Sequence, residues 1–132
     1  MREILFRGKR IDTGKWVEGE MLHDMQDRPH LYWKTPKELP IVFSNHAIVD
    51  PATLGQFTGL TDENGTKIFE GDIVEIAKED EPFKVEWCED SARFILSAST
   101  FCCDFDNYWG WEMEVIGNIH DNPELLGGAE DA

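Results

Sequence analysis

A chain of 132 residues has the usual length of one domain, and 41% hydrophobic residues supply the apolar area for one core, which excludes a disordered chain. The apolar runs are far shorter than the roughly 20 residues that cross a bilayer, so we expect no membrane segment and a cytoplasmic protein. The three cysteines, with Cys102 and Cys103 adjacent, indicate reduced thiols rather than a disulfide framework.

The net charge of −15 is unevenly distributed along the chain. Residues 1–40 hold eight basic and seven acidic side chains, whereas residues 41–132 hold four basic and 20 acidic ones. Such a surface repels phosphate backbones, which disfavours direct DNA binding unless the basic residues between Arg7 and Lys15 form a local patch. The acidic excess is interpreted either as a means of keeping the protein soluble, which we favour, or as an attraction for a basic partner.

Apolar and polar side chains alternate over most of the chain, as in half-buried antiparallel strands. Clear examples are residues 83–87, 94–98 and 111–119, whereas residues 100–110 are predicted as a broad loop. The earlier strand candidates cover residues 3–7, 16–22, 31–34, 41–43, 47–49 and 56–60.

The best hairpin signal is Asn64-Gly65, since both residues accept the positive φ of a type I′ turn. This turn joins strand 56–60 to a predicted strand at 67–76. Helix signals are limited to single turns at 50–55 and 122–127, where a capping side chain is followed by proline and then by glycine.

These elements predict a mainly β fold with two single-turn helices. Five short strands between residues 56 and 127 fit an SH3-like small barrel, to which the strands and loops of residues 1–55 are added. We expect one domain over residues 1–132 with a flexible tail at 128–132. Uncovered edge strands favour a homo-oligomer.

Three stretches of sequence resemble the YopX family of phage and prophage proteins. They are residues 1–10 with 14–19, the central run VDPATLGQFTGLTDENGTKIFEGDIV at 49–74, and residues 116–120 with 122–126. The resemblance implies a small, mainly β protein located in the cytoplasm of a bacterial host. Since no biochemical activity is established for that family, the resemblance assigns no catalytic residue.

The central run contains most of the candidate site residues, which are Thr58, Asp62, Glu70, Gly71 and Asp72. If Glu70 and Asp72 share one strand face, their Cα atoms are about 6.6 Å apart, close enough for a hydrolase acid and base. The alternative is structural, because carboxylates in such positions accept backbone hydrogen bonds in turns. We favour the structural interpretation.

The aromatic segment 101–111 is the other binding candidate, with Tyr108 and Trp109 as its anchors. Two of its aromatic side chains are expected in the core. No histidine or cysteine spacing matches a metal site, and Asp104, Asp106 and Tyr108 lack the later residues of a calcium loop, so we predict no metal and no cofactor.

Three functions remain in competition. The leading hypothesis is a noncatalytic accessory protein that binds a host or phage protein, whose surface is basic. The second is a nucleic-acid-associated regulator or an acidic mimic of DNA. The third is a hydrolase that uses Glu70 and Asp72 with Asp62.

Overall fold

The computed structural model describes residues 4–33, 45–77, 79, 81–98, 102–105 and 112–126. In these ranges the chain consists of antiparallel strands and two single turns of 3₁₀ helix, at Pro51–Thr53 and Pro123–Leu126. The mainly β class and the two helical turns are therefore confirmed. The chain divides into two compact units, Met1–Phe57 and Thr58–Ala132, two residues beyond the predicted boundary. The assignment of a single domain stays a prediction.

The first unit, Met1–Phe57, contains four consecutive antiparallel strands and the start of a fifth, in the order β4-β3-β2-β1-β5. Their bounds are β1 (Phe6–Lys9), β2 (Trp16–His23), β3 (Pro29–Trp33), β4 (Asn45–Ile48) and β5 (Gly55–Thr61).

A backbone bridge joins the residues that follow β1 to the residues that follow β4. Arg10, just after β1, pairs with Val49, just after β4, and the Ile11 N–H donates to the Ile48 carbonyl at 3.0 Å. Val49 is fully buried, and its side chain lies against Gly8. The residues after β4 are thus fixed beside the residues after β1.

The second unit, Thr58–Ala132, contains the end of β5 and six further strands. Their bounds are β6 (Lys67–Phe69), β7 (Asp72–Ile76), β8 (Phe83–Cys88), β9 (Arg93–Ser97), β10 (Cys102–Asp104) and β11 (Met113–Asn118).

Five of these strands form a sheet in the order β10-β9-β8-β7-β11. It is a four-stranded meander whose fifth strand returns beside the first, which is the strand order of an SH3-like small barrel. Among the described residues, β10 and β11 lie at opposite ends of this order and are not hydrogen-bonded neighbours. Closure into a barrel stays a prediction.

The core of the second unit comes from the alternating strands. Its buried members are Ile68, Val74, Ile76, Phe83, Val85, Leu96, Phe105 and Met113. Phe105 comes from the segment predicted as a loop, and its ring meets Phe94 of β9 edge-on at 6.3 Å between centroids. One aromatic residue of that segment is thus in the core, and the expectation of two stays a prediction.

Two predictions about the strands are wrong. Residues 67–76 are not one strand, because Glu70 and Gly71 form a turn between β6 and β7. Gly71 has a φ of 94°, far from the negative φ of a regular strand and favourable only for glycine. Within the predicted loop 100–110, residues 102–104 form β10, paired with β9. The predicted strand 41–43 and the tail 128–132 lie outside the described residues.

We predict that Gly71→Ala destabilises the protein by about 1–2 kcal/mol, because an L-residue is strained at this φ. Asp72→Asn is the comparison. It keeps an oxygen that can accept the hydrogen bond from the Phe69 N–H, now 2.7 Å long, and should cost less. Urea unfolding of both variants measures the difference. A Gly71→Ala protein as stable as the wild type would contradict the strained turn.

Candidate binding site

The hairpin between β5 and β6 differs from the predicted type I′ turn. Gly65 has a φ of 82°, but Asn64 is not among the described residues with positive φ. The Gly65 N–H donates to the Asp62 carbonyl at 3.0 Å, and the Asp62 N–H donates to the Thr66 carbonyl at 2.8 Å. This is a three-residue loop with a type I turn followed by a left-handed glycine. The hairpin was predicted correctly, whereas the turn type was wrong.

Thr58 fixes the two strands of this hairpin. Its hydroxyl donates to the carbonyl of Ile68 at 2.8 Å and accepts from the N–H of Leu60 at 3.3 Å. Since both partners are backbone groups, the side chain has a structural role in the hairpin.

Asp62 joins the hairpin to β11. One carboxylate oxygen accepts from the N–H groups of Asn64 and Thr66, both at 2.9 Å, and the other accepts from the N–H of Val115 at 2.9 Å. Burial opposes ionisation of this carboxyl, but the three backbone donors outweigh it and hold the pKa of Asp62 below its ordinary value. The predicted turn hydrogen bonds of Asp62 are therefore confirmed.

Glu70, Gly71 and Asp72 connect β6, β7, β8 and β11. The Gly71 N–H donates to the Val85 carbonyl at 2.8 Å, and the Gly71 carbonyl accepts from the Ile119 N–H at 2.9 Å. Asp72 is 1% exposed and bonds to the Phe69 N–H. Glu70 lies in the turn and not on the strand, so the shared strand face that the hydrolase hypothesis assumed is absent.

The binding role predicted for the aromatic segment 101–111 stays a prediction. Tyr108 and Trp109 lie outside the described residues. Within the described part of the chain, no group of three histidine, cysteine, aspartate or glutamate side chains is placed to hold a metal ion. In the same ranges no helix has the length and apolar composition needed to cross a membrane.

The second unit instead has an acidic cavity of about 360 Å³, which the sequence did not predict. Apolar residues Ile76, Ala77 and Pro82 contribute to its wall. Its six acidic residues are Glu63, Glu75, Glu79, Glu81, Glu112 and Glu114. We call this feature the acidic cavity.

Two of these glutamates oppose each other directly. Glu75 on β7 and Glu114 on β11 are partners in the register of the antiparallel pair. The Cβ atoms of such partners are about 5 Å apart, and like charges in this arrangement destabilise a sheet. Glu63 joins them because its N–H donates to the Met113 carbonyl at 3.0 Å, which fixes the hairpin turn beside β11.

The charge of the chain follows the division into units. Residues 1–57 contain eight acidic and eight basic side chains, whereas residues 58–132 contain 19 acidic and four basic ones, so the whole net charge of −15 belongs to the second unit. The alternating pattern of residues 111–119, which include β11, predicts that Glu112 and Glu114 point outward, and Glu75 lies on β7. Only the pairing of these two strands, which are far apart in the sequence, shows that the charges converge.

We predict that Asp62→Asn lowers the free energy of unfolding by about 1–3 kcal/mol at neutral pH, because an amide cannot accept all three hydrogen bonds. A lowered folded-state pKa means that the carboxylate stabilises the protein above its unfolded-state pKa and loses this effect as pH falls through the folded-state value. The difference between wild type and variant should therefore shrink as pH falls below about 4. Urea unfolding at several pH values measures it, and a difference that persists at acidic pH would contradict this role.

Comparisons with known proteins are consistent with this architecture. The crystal structure of protein EF1440 from Enterococcus faecalis is similar, with a TM-score of 0.61 and 25% sequence identity over 96% of this chain and 99% of that one. No curated protein matches the sequence. A family model described as YopX protein matches residues 5–127. Because the match covers nearly the whole chain, the protein belongs to the YopX family.

Proposed function

We propose that this protein is a noncatalytic accessory protein of a phage or prophage, acting in the bacterial cytoplasm, and that it binds a basic segment of a host or phage protein in the acidic cavity. The observation that carries the proposal is the convergence of six glutamates on one concave surface. A lysine or arginine side chain that enters the cavity places positive charge beside the opposed carboxylates of Glu75 and Glu114, which repel each other.

The direct Glu75–Glu114 pair supports this assignment energetically. Opposed like charges cost stability in the free protein, and a cation from a partner removes that cost when it binds. The partner therefore gains both attraction and relief of repulsion. A concave site with some apolar wall also suits the methylene groups of a lysine or arginine side chain.

The structural roles of the sequence candidates argue against the hydrolase alternative. Asp62 uses both carboxylate oxygens on backbone N–H groups, and Asp72 is buried against the Phe69 N–H. These hydrogen bonds hold two of the three carboxylates of the hydrolase hypothesis, and the third, Glu70, lies in the turn between β6 and β7.

Of the two nucleic-acid alternatives, the acidic mimic of DNA agrees better with the charge of the protein than a DNA-binding regulator does. The charge of the second unit opposes binding of bare DNA, whereas an acidic cavity suits the basic surface of a DNA-binding protein. Such a protein is one kind of basic partner. A symmetric homo-oligomer, in which equivalent surfaces face each other, needs another surface, because the acidic cavity of a second copy carries the same charge.

We predict that the double substitution Glu75→Gln and Glu114→Gln weakens binding of an arginine-rich peptide by about fivefold or more, since each removed charge lies in the cavity. Fluorescence anisotropy at low and at physiological salt measures the affinity. The same variant should be slightly more stable than the wild type, by up to about 1 kcal/mol, because the repulsion between the strands is removed.

The matched control is Glu18→Gln with Glu20→Gln, which removes the same charge from exposed positions on β2 of the first unit. It should leave the peptide affinity nearly unchanged. Equal weakening by both double variants would show that net charge alone attracts the peptide, and the acidic cavity would lose its role. Affinity purification from host lysate with wild type and both variants then identifies partners that depend on the cavity.

A further inference from the structure

The first unit contains a chain of three hydrogen-bonded side chains that the proposed function does not use. Asp24, in the loop between β2 and β3, lies 2.8 Å from Nε2 of His30 through its Oδ2 atom. Nδ1 of His30 lies 3.3 Å from Nδ1 of His46 on β4. His30 is buried, with 9% of its surface exposed, whereas His46 is exposed.

The hydrogen bonds determine where the protons lie. An ionised carboxylate only accepts, so Nε2 of His30 carries a proton and donates to Asp24. In the neutral ring, Nδ1 of His30 is then an acceptor, and Nδ1 of His46 donates to it. Nε2 of His46 is left as an unprotonated acceptor, with no hydrogen-bond partner among the described residues.

The Asp24 carboxylate is held in place independently of the histidines. It accepts from the backbone N–H groups of Gln26 and Arg28 and from the Arg28 guanidinium. The Arg28 backbone hydrogen bond is the largest cause of the lowered pKa of Asp24, and it outweighs the effect of burial. Asp24 therefore stays ionised and fixes the His30 ring.

The three hydrogen-bonded side chains can bind one additional proton without losing a hydrogen bond. When Nε2 of His46 is protonated, Nδ1 of His46 still donates to His30, and the positive charge lies on the exposed ring. A second proton would place two N–H groups against each other across 3.3 Å, which removes the hydrogen bond. The pair therefore changes by one charge, and the outer nitrogen changes from acceptor to donor.

A cavity of about 270 Å³ lies beside this pair. Both histidines line it, Ile11 and Ile48 contribute to its apolar part, and Arg10 and Asp12 complete its polar part. Arg10 and Asp12 form a two-point ion pair, with distances of 2.9 and 2.8 Å. The backbone bridge between Arg10 and Val49 holds the lining residues that follow β1 beside those at the end of β4.

The charges around the cavity are balanced until a proton is added. Arg10 compensates Asp12, and Arg28 compensates Asp24. Tyr32 of β3 stacks on His46 with 4.9 Å between ring centroids. One added proton thus gives the site a net charge of +1 next to an apolar surface.

We infer that this cavity binds a small organic acid with an apolar body, as its anion, together with one proton on Nε2 of His46. The carboxylate accepts the hydrogen bond of the protonated ring, and the apolar body lies against Ile11 and Ile48. The site is in the first unit and is independent of the acidic cavity.

The test uses benzoate as the probe, with benzamide as the uncharged control of the same shape. Calorimetry at about pH 5.5 and about pH 8, at one ionic strength, should show affinity falling by about tenfold per pH unit on the alkaline side, because one proton is bound with the anion. At about pH 8, titration in two buffers of different ionisation enthalpy should give an uptake of close to one proton per bound benzoate, because the ring gains its proton when the anion binds.

His46→Gln should weaken benzoate binding by about tenfold or more at the acidic pH and remove the pH dependence. His23→Gln, at an exposed histidine on β2, is the matched control and should change neither. In the wild type, NMR signals of the His46 ring should shift when benzoate is added. Binding at about pH 8 without proton uptake, equal binding of benzamide, or absence of benzoate binding at about pH 5.5 would overturn the inference.

Discussion

Three hydrogen bonds to one carboxylate organise the second unit. Asp62 accepts from two N–H groups of its own turn and from the Val115 N–H on β11, so one buried side chain fixes a local hairpin and a long-range strand together. The same turn positions Glu63 beside β11, where it contributes to the acidic cavity. The arrangement depends on ionisation, since only the carboxylate can accept at both oxygens. The candidate binding surface therefore rests on a group that stabilises the fold.

The two units handle charge in opposite ways. In the first unit, acidic and basic side chains are equal in number and form local pairs such as Arg10 with Asp12. The second unit keeps an excess of 15 negative charges and brings six glutamates to one cavity, including the opposed pair Glu75 and Glu114. Repulsion of this kind reduces stability, and the buried core of β7, β8 and β11 must offset it. A surface that costs stability in the free protein is typical of a binding site.

The sequence was sufficient for most of the strands, because alternation along segments such as 83–88 directly reflects a sheet with one buried face. The predictions from the sequence failed where backbone conformation, rather than the polarity of the side chains, determines the local structure. A strand was predicted through Gly71, whose positive φ turns the chain. A left-handed conformation was predicted for both Asn64 and Gly65, but of these two residues Gly65 alone has it. The acidic cavity and the Asp24–His30–His46 chain were also missed. The acidic cavity depends on the pairing of β7 with β11, which are far apart in the sequence, and the histidine chain depends on the register of β3 and β4. A single sequence carries no signal for either.

The strand order also affects the sequence of events in folding. In the first unit, β1 to β4 pair with their neighbours along the chain, so these contacts can form as soon as each hairpin is complete. In the second unit, β7 pairs with β11, and the Gly71 carbonyl meets the Ile119 N–H across 48 residues. Contacts of such long range are slow to form. During synthesis, the edge of β7 that pairs with β11 stays unpaired until β11 has left the ribosome. Acidic side chains near this edge, such as Glu75, disfavour its pairing with other chains during that time.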